Sequence, residues 1–123
     1  MTNLAPFSGT IAELPRERLP ELSVTRSAVR TDDALVVFNW VQPPVTLPLH
    51  DHPFDQLALI LQGSCVMHVG GEEHRLEAGG FVYIPAGVAH GLEALGDEPV
   101  LNVDVFAPAR EDYLHLAEAQ PRR

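Results

Sequence analysis

Two histidines one residue apart, His50 and His52, are followed four residues later by Gln56. In an extended segment side chains alternate between faces, so these three share one side if the chain stays extended through Pro53. Two imidazoles and an amide oxygen converging from one face make most of a metal site. Two polar loop histidines beside a strand would give the same pattern, so the pair needs a further partner. A second stretch, GGFVYIPAGVAH from Gly79 to His90, offers one. Gly79 and Gly80 suit a tight turn, Phe81 to Ile84 reads as a short apolar strand, and Pro85 with Gly87 ends it in another turn. That second turn is expected to fold His90 back toward His50 and His52.

Strands must position these residues. Ala34 to Val41, ALVVFNWV, is rich in β-branched and aromatic residues and reads as a strand buried on at least one face. Pro43-Pro44 breaks it, and Val45 to Leu49 resumes. Leu57 to Leu61 is a short continuous apolar strand that Gly63 turns. Ser64 to Val69 alternates, Gly70-Gly71 suits a hairpin turn of the primed type, and Glu72 to Leu76 returns. Val100 to Phe106 is the last clear strand. Many short strands with glycine turns mean an all-β sandwich or barrel rather than a parallel sheet. Residues 1–33 read as an N-terminal arm within the same domain, with little regular structure over Met1 to Leu22 and a strand starting between Leu19 and Val24. Residues 34–123 read as the barrel plus one short helix over Arg110 to Gln120. Pro121-Arg122-Arg123 reads as a frayed tail. His68, His74 and His115 are expected at the surface. Phe38 and Trp40 share a face and are assigned to the core, and Tyr83 fits core or pocket.

A chain of 123 residues with 46% hydrophobic residues is one domain with a core. Its net charge of −9 argues against nucleic acid or an anionic membrane as partner. The one cysteine, Cys65, allows no internal disulfide and reads as a small buried side chain. No apolar run is long enough to span a bilayer, and the N-terminus lacks a signal-peptide pattern, so a cytoplasmic setting is expected.

The spacing of His50, His52, Gln56 and Gly63, followed by Gly79, Pro85, Gly87 and His90, resembles the two motifs of the cupins. Two positions depart from the usual pattern: Gln56 stands where a glutamate is common, and Ala94 where an asparagine is. The resemblance implies a double-stranded β-helix, a jelly-roll-like barrel, often homodimeric, with one divalent ion held by His50, His52, Gln56 and His90. All four donors are neutral, so the ion would keep its full charge as a Lewis acid. The ligand set suits zinc, nickel, iron, cobalt or manganese without choosing among them. A lining amide that only hydrogen-bonds a ligand is the alternative for Gln56, and the spacing favours the metal-ligand reading.

The last strand adds to this. Asn102, Asp104 and Phe106 share one face of an apolar segment, and an aspartate there is costly to bury without a partner or a task. With Arg110, the series Asp104, Phe106, Arg110 resembles the end of the small cupins that linearise 4,5-unsaturated monouronates from pectin and alginate. That resemblance implies a metal-dependent isomerase acting on a small sugar acid. In it Asp104 moves a proton, Arg110 holds a carboxylate and Phe106 shapes an apolar wall. A structural Asp104–Arg110 salt bridge would explain the same residues. A dioxygenase or lyase on another small molecule, and a binding module without catalysis, are the other classes.

Overall fold

The computed structural model describes residues 4–118 and 120. Among them are ten strands: β1 (Glu17–Leu19), β2 (Val24–Arg30), β3 (Leu35–Val41), β4 (Val45–Thr46), β5 (Gln56–Gln62), β6 (Ser64–Val69), β7 (Glu72–Glu77), β8 (Phe81–Ile84), β9 (His90–Leu95) and β10 (Val100–Phe106). They form two antiparallel sheets, one in the order β1-β2-β3-β10-β5-β8 and one in the order β4-β9-β6-β7. This is the all-β barrel that the short strands and glycine turns predict. The hairpin at Gly70-Gly71 has positive φ at both glycines, as the primed turn requires.

Apolar side chains from both sheets meet in one core that includes Val24, Val41, Ile60, Cys65, Met67 and Leu92. Burial pushes the Cys65 thiol up to about 11, so it is an inert packing group. A second core joins Ala28, Leu35, Val37 and Phe106 to Leu116 and Ala117. The functional cavity lies between these two cores, and the inward face of β10 runs through all three regions. Val100 sits in the first core, Asn102 and Asp104 face the cavity, and Phe106 enters the second core.

Two expectations need correction. The arm is more regular than expected: Glu17–Leu19 is a strand paired with β2, and β2 pairs with β3 along its whole length. The segment after Arg110 is the short helix expected, of 3-10 type, over Glu111–Ala117. Three residues per turn stacks Tyr113 over Leu116, which suits a short segment lying on a barrel. Phe38 and Trp40 lie opposite Val37, Asn39 and Val41; Phe38 is buried, as expected, whereas Trp40 is only half-buried, with the Arg16 guanidinium stacked 3.9 Å from its ring. Of the other expectations, His68, His74 and His115 are exposed or half-exposed beside carboxylates, and Tyr83 is exposed. The tail at 121–123 falls outside the described residues. Among the described residues no helix is long and apolar enough to cross a membrane.

Candidate metal centre

His50 and His52 come from the loop before β5, and His90 opens β9. His50 and His90 bridge the two segments through reciprocal backbone hydrogen bonds of 2.9 Å. The three histidines bring their donor nitrogens within 4.8 Å of one another. Each ring is oriented locally. His50 Nδ1 faces the Pro48 carbonyl at 3.3 Å, His52 Nδ1 faces that of Phe54 at 2.7 Å, and His90 Nδ1 faces that of Val88 at 2.8 Å. A carbonyl only accepts, so each Nδ1 carries the proton and each Nε2 presents a lone pair. Burial pushes the His90 pKa down, aided by its histidine neighbours, which favours that neutral form.

Two observations fit these lone pairs to a cation. His90 Nε2 is buried with no hydrogen-bond partner among the described residues. His52 Nε2 lies 2.8 Å from Gln56 Oε1, two acceptors face to face. The Gln56 amide cannot turn over to relieve this without losing a bond, because its Nε2 donates to Asp104 Oδ1 at 3.0 Å. Two acceptors at that distance are what adjacent ligands of one ion present, so three imidazoles and one amide oxygen suit a divalent metal.

Asp104 stands directly behind this group. Its Oδ1 accepts from Gln56 and from Asn102 Nδ2 at 3.1 Å, and its Oδ2 accepts from Asn39 Nδ2 at 3.1 Å. Burial pushes its carboxyl up to about 6, against the three amides and the Arg110 charge, which favour the ionised form. Such a group can both take and give a proton near neutral pH.

Arg110 does not pair with Asp104. Its Nε and Nη2 bond Asp112 at 2.7 and 3.0 Å, and its guanidinium stacks 3.7 Å from the Tyr113 ring. The Arg110 hydrogen bonds hold the Asp112 carboxyl below the usual range. Phe106 does not line the cavity as expected. It is fully buried in the second core, with its ring 6.0 Å from that of His52.

The cavity measures about 320 Å³ and is lined by His50, Gln56, His90, Asp104 and Arg110, among others. Sequence reasoning missed three more lining residues: Arg26, Asn39 and Tyr113. Arg26 is tied to Glu17, and its guanidinium lies 4.4 Å from the Tyr113 ring, on which Arg110 also stacks. A signal was present, because Arg26 and Asn39 each interrupt an apolar alternation at an inward position.

Known proteins place this arrangement. KdgF from Halomonas sp. is similar over 82% of this chain and 92% of its own, at 26% identity and a TM-score of 0.74. An RmlC-like cupin from Shewanella frigidimarina shares the fold, at 21% identity and a TM-score of 0.78, over 91% of this chain and 99% of its own. The tetracenomycin polyketide synthase protein TcmJ of Streptomyces glaucescens is 30% identical over 92 residues, 72% of this chain. The chain spans 62% of that relative's length. Residues 40–106 match the Cupin_2 family, described as the cupin domain, and this is over half of the chain, which therefore belongs to the cupin family.

Proposed function

We propose that this cupin is a metal-dependent isomerase that opens the ring of a 4,5-unsaturated monouronate to its linear keto form. The observation that carries this reading is Asp104, which shares the cavity with the histidine cluster and is one hydrogen bond from Gln56. The shared series Asp104, Phe106, Arg110 and the likeness to KdgF support it.

His50, His52, His90 and Gln56 would hold the ion, and when bound it supplies a Lewis acid for a substrate oxygen. Asp104 takes the proton of the hemiacetal hydroxyl as the bond from that carbon to the ring oxygen breaks. It then returns the proton to the vinylic carbon, and the former ring oxygen becomes a ketone. One carboxyl thus closes the proton balance of an isomerisation. Arg110 has Nε and Nη2 engaged by Asp112, and its Nη1 remains to hold the substrate carboxylate.

The test is metal analysis of the purified protein, followed by loss of ultraviolet absorbance from unsaturated monouronates. A divalent ion near one per chain and a metal-dependent absorbance loss are expected. A metal-loaded protein that leaves every such uronate unchanged overturns the reading. A second reading is a dioxygenase or lyase on another small molecule; the apolar wall of Leu19, Leu22, Val24, Val41 and Leu92 favours a less polar substrate than a sugar acid. Iron content with oxygen uptake would select it. The expected homodimer has a surface to use: Leu57, Leu61, Phe81 and Tyr83 are exposed on the outer face of β5 and the edge strand β8. Sedimentation of the protein as a monomer at micromolar concentration would remove that part.

A further inference from the structure

The inner face of the six-stranded sheet carries a polar row that the metal centre does not use. Arg26 pairs in register with Asn39, and Asn39 pairs with Asn102, across β2, β3 and β10. Val24, Val41 and Val100 flank the row on one side. Polar residues at inward positions of apolar strands are costly unless each finds a partner.

Asn102 has found only half of one. It is 7% exposed, and its Nδ2 donates to Asp104 Oδ1 at 3.1 Å. That bond fixes the amide, because the opposite orientation sets a carbonyl oxygen against a carboxylate. The other atom, Oδ1, is buried and has no hydrogen-bond partner among the described residues. Asn102 lines the same cavity as the histidine cluster and Asp104. Buried side-chain oxygens are seldom left without a donor. An amide oxygen accepts and never donates, so a carboxylate or a ketone cannot satisfy it. A hydroxyl can.

We propose that Asn102 Oδ1 accepts a hydrogen bond from a hydroxyl of the ligand, which makes Asn102 a specificity-determining residue for hydroxylated carboxylic acids. The choice of sugar acids as the class rests on the function proposed above. The geometry also orients the ligand. Its hydroxylated part lies against Asn102 and Asp104, and its anionic group lies toward Arg110 and the histidines. Deleting the paired hydroxyl leaves the acceptor without a donor in the complex, whereas deleting any other hydroxyl does not.

The experiment measures binding rather than turnover. The metal-loaded protein is titrated calorimetrically with galacturonate, a saturated sugar acid that lacks the reactive double bond, and with its 2-deoxy and 3-deoxy analogues. One of the two analogues is expected to bind about tenfold or more weakly. In Asn102→Ala, and in Asn102→Ser as a smaller change, galacturonate and that analogue should bind within about twofold of each other. A role for Asn102 in holding Asp104 alone would weaken all three sugars together and leave their ratio as in the wild type, which overturns the proposal. Equal binding of all three sugars by the wild type, or no binding of any, also overturns it without need of a variant. Turnover of unsaturated uronates is scored separately. Discrimination without turnover removes the proposed reaction and keeps the hydroxyl site, and turnover without discrimination does the reverse.

Discussion

The imidazole cluster and the Asp104 carboxylate sit in one cavity but are held in place by different means. Each histidine ring is oriented by a backbone carbonyl two residues away. Asp104 is held by side-chain amides that are 2, 48 and 65 residues distant in the chain. The first kind of site is written into short stretches of sequence and tolerates changes elsewhere. The second exists only while β3, β5 and β10 keep their register. Gln56 links the two, with its oxygen toward His52 and its nitrogen on Asp104.

Removing a member of the local group should have the largest effect. His52→Ala is expected to lose the metal and all turnover while circular dichroism still reports a β-rich fold, because His52 sits in a loop outside the strands. Wild-type metal content in that variant would exclude His52 as a ligand. Asp104→Asn should come next, with turnover lower by ~10²–10⁴ and metal content unchanged. Full turnover from a metal-loaded Asp104→Asn protein would end the proton-transfer assignment.

Gln56→Glu changes the link itself. A carboxylate should keep or tighten the metal. It also takes the amide donor from Asp104 and sets a like charge beside it, so turnover should fall by less than in Asp104→Asn. An unchanged rate with metal bound would show that the neutrality of Gln56 is irrelevant. The smallest effect is one of pH on the metal-free protein. The folded-state pKa of Asp104, pushed up to about 6, lies above its unfolded value. Its contribution to stability is therefore fully present below about pH 4 and is lost as pH rises through about 6. The melting temperature of the wild type relative to Asp104→Asn should fall over that interval, and a flat difference would mean that the carboxyl is not strained by burial.

The same contrast explains what could be read from the sequence. The three histidines and Gln56 were legible from their spacing and from the turn that returns His90, although a bend at Pro53 and Phe54, not an extended chain, brings Gln56 to His52. The partners of Asp104 were not, since pairing Asn39 with Asn102 requires the register of β3 on β10. Strand β9 was missed because HGLEAL has no β-branched residue and carries Gly91. Glycine fits closely there, since a Cβ would crowd the Leu47 carbonyl at 3.0 Å. Strand β2 was read only at its start because Arg26 and Arg30 break its apolar alternation; Arg26 faces the cavity, which the alternation alone does not show. Arg110 was assigned to Asp104 or a substrate, while the carboxylate that holds it lay two residues away at Asp112.

The two ends of the chain are fastened to each other beside the cavity. Glu17 binds Arg26 and His115, and Gln120 receives the Arg30 amide at 2.7 Å and returns a bond to its carbonyl at 3.0 Å. The segment that defines the family, 40–106, contains every histidine of the centre but none of Arg26, Asn39, Arg110 or Tyr113. Exchange of the terminal segments between relatives is therefore a route to new selectivity that leaves the three histidines, Gln56 and Asp104 themselves in place. The two ends would have to be exchanged together, because a foreign N-terminal strand would leave the native C-terminal turn without its fastenings.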